Sequence, residues 1–305
     1  MSRALMITGA TGKQGGSVIA ALLAAKANFQ VLAVTRDPSS PSAKRLAEKS
    51  SKITLVEGNL DDVEAIFRNA KKATTLPIWG VFSVQTFAMN KTGPLIEEKQ
   101  GKALVDGALR HGVQHFVYSS ADRNGERSSE NPTNVPHFVS KHNIEQHLFR
   151  EAKGTGMGWT VLRPVAFMEN FDGGFVGKVF AAAWKITVKS RPLQLVATAD
   201  IGEFATKVFM DPARYSGKSI ALAGDELTYE DMNAVFKQRT GSEVPRTWDF
   251  LARLALWLSE ELGTMFTFFE KEGFGANVKE LKTIHPDLTS FSSWLDKSPY
   301  VRKEK

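Results

Sequence analysis

The stretch Leu5-Met6-Ile7-Thr8-Gly9-Ala10-Thr11-Gly12-Lys13-Gln14-Gly15-Gly16-Ser17 passes from an apolar run into glycines and then into a helical pattern. Ala4 to Thr8 is short and apolar, as expected of the first strand of a parallel sheet. The glycines follow at G-x-x-G-x-x-G spacing. Because glycine tolerates positive φ and lets a phosphate approach a helix N-terminus, this stretch predicts a dinucleotide-binding turn; the alternative is a plain tight turn.

Composition narrows the class of protein. The 305 residues include no cysteine, which excludes disulfides, thiolate catalysis and cysteine metal sites, and we predict no other metal site. The net charge of +6 is dispersed, so we expect no direct nucleic-acid binding. No apolar run is long enough to span a membrane, and the first strand starts without a leader. We therefore expect a cytoplasmic protein, with the nucleus as a second location.

The second strand, Gln30 to Thr35, ends directly on Arg36. An acidic residue here would accept hydrogen bonds from the adenosine ribose, whereas arginine pairs with a 2′-phosphate. Arg36 therefore predicts NADP(H) rather than NAD(H), against the alternative of a solvated surface arginine. We interpret Asp37 as a turn or capping residue. Further phosphate donors are expected from the residues that follow: Ser39, Ser40, Lys44 and Arg45.

The third and fourth strands add expected cofactor contacts. Ile53 to Glu57 precedes Asn59 and Leu60, which are expected at the adenine. Gly80 to Val84 ends on Gln85-Thr86-Phe87, expected near the pyrophosphate or the nicotinamide ribose. The helix from Pro94 to His111 carries Lys99, and its expected inner face consists of Leu95, Ala103, Leu104, Ala108 and Leu109.

Two more strands complete the predicted sheet. His115 to Ser119 brings Ser119 and Ser120 to its carboxyl end, a helix from His137 carries Lys141 one turn inside, and Trp159 to Pro164 is the sixth strand. The alternation predicts a Rossmann-type α/β fold, a doubly wound parallel sheet of six strands over residues 1–164.

Residues 165–305 predict a smaller, mostly helical lobe for substrate or partner. Its first segment, Val165 to Phe171, is expected to line a nicotinamide or substrate pocket, with core packing as the alternative. Short strands at Leu193–Ala197 and Ser219–Ala223 are candidates to return to the sheet edge. The predicted helices are Asp200 to Phe209, Tyr229 to Thr240, Trp248 to Leu262, Met265 to Glu272 and Ser290 to Asp296.

The chain resembles the NmrA-like family, an atypical branch of the short-chain dehydrogenase/reductase superfamily. The resemblance rests on Gly9 to Gly16, Thr35-Arg36-Asp37, Glu98 to Lys102, His137-Phe138-x-x-Lys141 and Phe167-x-Glu169-Asn170. It implies NADP(H) at the carboxyl ends of the strands. Together, pattern and resemblance give these expected cofactor contacts: Gly9, Thr11, Gly12, Lys13, Gln14, Gly15, Arg36, Ser40, Asn59, Leu60, Gln85, Thr86, Lys99, Lys141, Phe167, Glu169 and Asn170.

His137 departs from the wider superfamily, which uses a Tyr-x-x-x-Lys motif for proton exchange. Three interpretations stay open. His137 donates the proton itself, since imidazole titrates near neutrality. Alternatively His137 is inert and Lys141 holds the nicotinamide ribose, as the resemblance to NmrA-like regulators implies. In the third interpretation Lys141 alone is the general base, as the likeness to isoflavone-reductase-like proteins implies.

Two functions follow from the resemblance. The first is an NADP(H)-binding regulator that senses the ratio of oxidised to reduced cofactor and acts through a protein partner. That partner would be a transcription factor or signalling protein contacting the helical lobe. The second is an NADPH-dependent, isoflavone-reductase-like oxidoreductase that reduces a small carbonyl or aromatic compound, with Lys141 or His137 as the acid–base group.

Overall fold

The computed structural model describes residues 3–86, 90–171 and 173–301, and its first half alternates strand and helix as the sequence predicts. The first strands are β1 Ala4–Ile7, β2 Gln30–Thr35, β3 Ile53–Glu57, β4 Ile78–Ser83, β5 His115–Ser119 and β6 Gly158–Pro164. The helices between them are α1 Lys13–Ala24, α2 Pro41–Ala47, α3 Val63–Ala73, α4 Gly93–Arg110 and α5 Pro136–Glu151.

These strands lie in one sheet with the order β3-β2-β1-β4-β5-β6-β9, where β9 is Lys218–Leu222. Each neighbouring pair from β3 to β6 is parallel. The Rossmann-type prediction is confirmed, and the strand predicted at Ser219–Ala223 joins the edge as a seventh strand. The strand order reverses between β1 and β4, and in such sheets the crevice beyond the carboxyl ends at this reversal binds the ligand.

Contacts divide the chain into two units that alternate along the sequence. The first unit comprises Met1–Ser120, Ser140–Arg163 and Ile201–Ile220, and the second comprises Ala121–Val139, Pro164–Asp200 and Ala221–Lys305. The sequence predicts one division, after residue 164. Two further segments change unit: residues 201–220, which include β9, belong to the first unit, and residues 121–139 belong to the second.

The second half of the chain adds a small sheet and further helices. Its strands β7 Ala166–Phe167, β8 Leu193–Val196 and β10 Asp225–Leu227 have the order β10-β8-β7. The helices are α6 Phe175–Ala183, α7 Thr198–Met210, α8 Pro212–Tyr215, α9 Tyr229–Thr240, α10 Asp249–Leu258, α11 Glu260–Lys271, α12 Val278–Ile284 and α13 Phe291–Asp296. The sequence patterns do not predict α6, α12 or β10.

The break between α10 and α11 also differs from the prediction. The sequence predicts it between Leu262 and Met265, whereas α10 ends at Leu258 and α11 begins at Glu260. Ser259 gives the reason, because its hydroxyl accepts a hydrogen bond of 3.2 Å from the Leu262 N–H and so caps α11.

The inner face of α4 differs from the predicted one at its first turn. Leu95, predicted to be buried, has 69% of its surface exposed, whereas Glu97 is fully buried. The buried stripe runs through Glu97, Gly101, Leu104 and Ala108 at helical spacing. Leu104 and Ala108 are therefore buried as predicted. In the first turns of α4 the inward-facing side chain is that of Glu97 and not that of Leu95.

Aromatic side chains form much of the core of the second unit. The Phe171 ring lies 5.6 Å from that of Phe180, 6.0 Å from that of Trp184 and 5.6 Å from that of Phe291, measured between centroids. These edge-on and tilted arrangements suit the quadrupoles of the rings. Phe171 thus belongs to the core, as in the alternative interpretation of its segment.

Helix α10 exposes an apolar face. Only Ala252 of its ten residues is buried. Trp257 has 79% of its surface exposed, and large apolar neighbours are also exposed: Trp248, Phe250, Leu254 and Leu258. Within the described parts of the chain, no helix combines the length and hydropathy that crossing a membrane requires. An apolar patch of this kind typically marks a contact surface for another molecule.

We expect Gly15→Ala to destabilise the fold, because a Cβ at Gly15 would lie 2.7 Å from the Thr8 carbonyl oxygen and closer still to the Gly9 carbonyl. Overpacking of this kind costs about 1–3 kcal/mol. The control is Gly16→Ala, whose Cβ would meet only the Ala10 carbonyl oxygen at 3.5 Å. Urea denaturation of the two variants and the wild type measures the loss of unfolding free energy. Equal stability of the two variants would contradict the close helix–strand contact.

His115 is a buried histidine in β5. Its ring stacks at 6.1 Å on Trp79, and its Nε2 lies 3.1 Å from the Thr160 hydroxyl. Thr160 donates its own hydrogen to the Tyr215 carbonyl, so Nε2 of His115 is the donor in the first bond. Burial lowers the pKa of His115 from 6.5 to about 4.

The unfolded chain therefore binds a proton at His115 at higher pH than the folded chain does. The stability due to neutral His115 is complete above pH 6.5 and is lost progressively as the pH falls towards 4. From pH 7 to pH 5 we expect a loss of about 2 kcal/mol that His115→Gln does not show. Urea denaturation at both pH values gives the difference, and parallel losses in the two proteins would refute it.

Candidate functional site

The loop between β1 and α1 turns at Gly9, which lies close to Val84 of the neighbouring strand end. Gly9 has φ +58°, and a side chain there would lie 2.8 Å from Val84 Cγ1. Its carbonyl accepts a 2.9 Å hydrogen bond from the Gly12 N–H. Thr8 ties the loop to β4, because its hydroxyl donates to the Val84 carbonyl at 2.9 Å and accepts from the Val84 N–H at 2.8 Å. Two hydrogen bonds thus join the ends of β1 and β4 next to the loop.

Helix α1 begins at Lys13, directly after Gly12 at its N-cap. No side chain caps this end, and its first turn contains no acidic residue. The first N–H groups of a helix have no intrahelical acceptor, and the helix dipole adds positive potential there. The N-terminus of α1 therefore suits an anion such as a pyrophosphate.

A cavity of about 580 Å³ lies in the first unit beside this loop. Its lining includes eight of the predicted cofactor contacts: Gly9, Thr11, Gly12, Arg36, Ser40, Asn59, Leu60 and Thr86. The lining also includes residues that are not predicted from the sequence as contacts: Thr8, Val34, Thr35, Asp37, Ser42, Gly58, Asp61, Val84, Ile96 and Gln100. The glycine loop and the ends of β2, β3 and β4 thus meet at one cavity.

Arg36 projects from the end of β2 into the lining of this cavity and is exposed. Its guanidinium forms no hydrogen bond or ion pair with any residue that the structure describes. All of its donors are therefore available to an anionic ligand. An unpaired, exposed guanidinium fits the 2′-phosphate of NADP(H).

Asp37 adjoins Arg36, and its carboxylate belongs to a local turn. It accepts hydrogen bonds from the Ser39 N–H at 2.8 Å and the Ser39 hydroxyl at 2.6 Å. These bonds lower the pKa of Asp37 below its ordinary value. Ser40 caps α2 by accepting from the Ala43 N–H, and it donates to the Asp37 carbonyl. The turn role predicted for Asp37 agrees with this geometry, and Ser40 is the cap.

Asp61 also lines the cavity and is hydrogen-bonded to two of its other lining residues. Its carboxylate accepts from Gln100 Nε2 at 2.8 Å and from Asn59 Nδ2 at 3.0 Å, and the bond from Gln100 is the main cause of its lowered pKa. Ile96 and Gln100 line the cavity one helical turn apart on α4. Lys99, predicted as a contact, is exposed and lies outside this lining. Because Ile96 is not a predicted contact either, no local signal pointed to Gln100.

The end of β4 contributes Thr86 to the lining, while Gln85 is buried. Gln85 Nε2 donates to the Ser83 hydroxyl at 2.9 Å. Its Oε1 has no donor among the described residues. A buried acceptor of this kind suits a ligand or water donor. Phe87, the third residue of the predicted segment, lies outside the described residues.

Lys13 and Gln14 lie in the first turn of α1. Lys13 is exposed, and Gln14 Oε1 accepts a 2.5 Å hydrogen bond from the Ser119 hydroxyl. Ser120, the other serine at the end of β5, donates to Glu145, whose carboxylate also pairs with Arg163 at 2.7 Å. The serines therefore anchor neighbouring elements of the first unit.

Lys141 is held by a buried carboxylate of the first unit. Its Nζ lies 2.6 Å from Glu97 Oε1, and the Ser140 hydroxyl donates to Glu97 Oε2 at 2.6 Å. Glu97 is fully buried, and the Lys141 side chain is 12% exposed. Lys141 does not line the cavity described above. An interaction with cofactor at Lys141 would therefore involve a part of the ligand outside that cavity.

His137, at the start of α5, belongs to the second unit and pairs with Glu261 of α11 through Nδ1. Both side chains are mostly buried. The His137 ring also meets Phe138 edge-on at 4.4 Å between centroids. An imidazole held by a carboxylate is oriented and can act as an acid or base.

The predicted contacts Phe167, Glu169 and Asn170 lie in the second unit. Phe167 is the last residue of β7 and pairs with Val196 of β8. The Glu169 carboxylate accepts from the Thr198 N–H at 3.0 Å and the Thr198 hydroxyl at 2.8 Å, at the start of α7. Asn170 ends a short 3-10 turn. Glu169 therefore has a capping role, and the lining of the cavity described above includes none of these three residues.

The chain matches known proteins over nearly its whole length. A sequence model of the NmrA-like family matches residues 1–295. The NmrA-like family domain-containing oxidoreductase hkm9 of Aspergillus hancockii is 28% identical over 310 residues, covering 92% of this chain and 88% of the relative.

Two solved structures share the fold. The triphenylmethane reductase of Citrobacter sp., complexed with NADP(H), has a TM-score of 0.73 and 17% identity, covering 97% of this chain and 99% of the other. Nmra, a negative transcriptional regulator in complex with NAD, has a TM-score of 0.70 and 18% identity, covering 100% and 97%.

Proposed function

The chain belongs to the NmrA-like family, and from this premise we propose that it binds NADP(H) in the cavity of its first unit. The glycine loop and the uncapped N-terminus of α1 would hold the pyrophosphate. Asn59, Leu60 and the Asp61–Gln100 pair would bound the adenine side. The Citrobacter reductase of the same fold is complexed with NADP(H), which supports the assignment.

Arg36 is the observation that favours NADP(H) over NAD(H). It stands at the β2 end with no partner among the described residues and lines the cavity. The carboxylate beside it, Asp37, is bonded to Ser39 within its own turn. An acidic residue that is engaged in this way does not occupy the donors of Arg36, so the guanidinium is left for a phosphate.

We expect Arg36→Glu to weaken NADPH binding by about 10- to 100-fold, because it removes a charge-assisted contact and adds repulsion. Binding of NADH, which lacks the 2′-phosphate, changes little. Calorimetric titration of both cofactors measures this, with Arg68→Glu on the exposed face of α3 as the control of equal charge change. Equal weakening of NADPH and NADH would remove the 2′-phosphate role of Arg36.

The function that we favour is redox-linked regulation through a protein partner. Two features support it. His137 stands where the wider superfamily has its tyrosine, and its Nδ1 is paired with Glu261. The apolar face of α10 offers a large exposed contact surface in the second unit. A protein that binds NADP(H) without the superfamily tyrosine and presents such a surface suits a sensor better than a typical dehydrogenase.

The second candidate is an NADPH-dependent oxidoreductase. The A. hancockii relative is named an oxidoreductase, and the Citrobacter protein is a reductase. NADPH supplies a hydride when bound. The proton for a reduced carbonyl would come from Lys141 Nζ, oriented by Glu97, or from His137, oriented by Glu261.

One experiment separates the two functions. Purified protein is titrated with NADPH, assayed for NADPH oxidation against a panel of quinones, carbonyls and triarylmethane dyes, and cross-linked to cellular proteins with NADPH or NADP⁺ present. For a regulator we expect NADPH binding, no turnover, and cross-linked partners that depend on the cofactor. Trp257→Glu should abolish the cross-links and keep the NADPH affinity, because it places a charge in the apolar face.

The opposite outcome identifies the enzyme. NADPH oxidation that Lys141→Met abolishes, at unchanged folding, would establish the reductase and overturn the regulator. Cross-links that persist in Trp257→Glu would exclude the α10 face as the contact surface. Thr283→Glu, at an exposed position on helix α12, controls for added charge in the same unit.

A further inference from the structure

Glu97 is an acidic side chain in an apolar position. It lies on the buried stripe of α4, between the exposed Ile96 and the partly buried Glu98, and its carboxylate has no exposed surface. Removing a carboxylate from water is costly unless a counter-charge and hydrogen bonds replace the solvent. A carboxylate that is buried on a helix face otherwise made of small and apolar residues must therefore have compensating partners.

Both oxygens of Glu97 are used on α5. Lys141 Nζ lies 2.6 Å from Oε1, and the Ser140 hydroxyl donates to Oε2 at 2.6 Å. The three groups come from two helices of the first unit that pack closely, since Ile144 of α5 fills the space at Gly101. The carboxylate therefore fixes the end of a long, flexible side chain at one point.

The pairing leaves Lys141 with donors to spare. An ammonium has three N–H donors, and the contact with Glu97 uses one of them. Lys141 makes no other hydrogen bond or ion pair to the residues that the structure describes. Its position outside the 580 Å³ cavity means that these donors serve a different part of a ligand from the part held by Arg36 and Asn59.

We propose that Glu97 is a positioning residue that presents the Lys141 ammonium to the nicotinamide half of NADP(H). This inference rests on the proposed binding of NADP(H) to the first unit. Glu97 does not touch the ligand itself. It acts by holding Lys141 in place before the ligand arrives, which lowers the ordering cost of binding.

Glu98 provides a matched control on the same two helices. Its carboxylate accepts from Lys102 Nζ at 2.5 Å and from Asn143 Nδ2 at 2.8 Å, so it also joins α4 to α5. In the part of the chain that the structure describes, Glu98 makes no hydrogen bond or ion pair with Lys141, and it is more exposed than Glu97. A general loss of packing between the helices would affect both glutamates, whereas loss of Lys141 positioning affects Glu97 alone.

The test compares two ligands by calorimetric titration: NADPH and adenosine 2′,5′-bisphosphate, which lacks the nicotinamide half. We expect Glu97→Gln to weaken NADPH by about 10-fold or more and to leave the bisphosphate unchanged. Glu98→Gln changes neither affinity. In a Lys141→Met background, Glu97→Gln has no further effect on NADPH, because the group that it positions is gone.

Three results decide against the proposal. NADPH affinity within twofold of wild type in Glu97→Gln overturns it, and so does equal weakening of both ligands, which indicates a structural role. If Glu97→Gln shows no cooperative thermal unfolding and is therefore not folded, Glu97→Asp is tested in its place. A several-fold loss of affinity for NADPH alone supports positioning, and wild-type affinity for NADPH refutes it. Failure of the wild-type protein to bind NADPH would refute NADP(H) binding itself, a separate outcome.

Discussion

Helix α1 can begin where it does only because its third residue, Gly15, has no side chain. That residue stands against the carbonyl groups of Thr8 and Gly9, so the first turn of the helix lies directly on the end of β1. The Thr8 hydroxyl then ties the same strand end to Val84 at the end of β4. The helix N-terminus and the ends of both strands at the order reversal are thus fixed together. The parallel neighbours β2 and β3 bring Arg36 and Asn59 to the same cavity.

Two cations of the first unit, Arg36 and Lys141, differ in their burial and in whether they have a counter-charge. Arg36 is exposed and solvated, so it needs no counter-charge and keeps all its donors for a ligand. Lys141 is nearly buried beside the core, where an unpaired charge is costly, and the buried Glu97 accompanies it. One cation is therefore available by exposure and the other is held in place by pairing. An anion paired with the exposed Arg36 would be screened by solvent ions more strongly than the buried pair of Lys141 and Glu97.

Local patterns predicted most of the first unit because each parallel strand is a short apolar run with its own flanking turn. The glycine loop, Arg36 and Asn59 follow strands directly, so their places at the cavity follow from sheet order alone. Gln100 was missed in favour of Lys99, because helical phase and not charge decides which side chain reaches the cavity. Glu97 was missed because a carboxylate is expected on the exposed face of a helix.

The second unit was harder to predict, because its structure depends on single hydrogen bonds and on contacts between residues that are distant in sequence. Its helices are joined by caps such as Ser259, whose effect depends on one hydrogen bond and not on periodicity. The segment from Phe167 to Phe171 has the apolar composition of both a pocket wall and a core. Tertiary contacts decide between them: Phe171 packs among aromatic rings, and Glu169 caps α7. Composition carries no information about such long-range partners.

The chemistry open to α5 depends on what its polar residues already bind. A general acid–base group must exchange a proton with a ligand, and a carboxylate partner can either assist this by orienting the group or compete for its donors. At Lys141 the contact with Glu97 uses one of the three N–H donors, so the lysine can bind a ligand while it remains paired with Glu97. At His137 the Glu261 contact takes one of the two ring nitrogens. The two residues of α5 therefore differ in what their carboxylate contacts leave available: Lys141 keeps two N–H donors, whereas the orientation of the His137 ring is fixed through Nδ1.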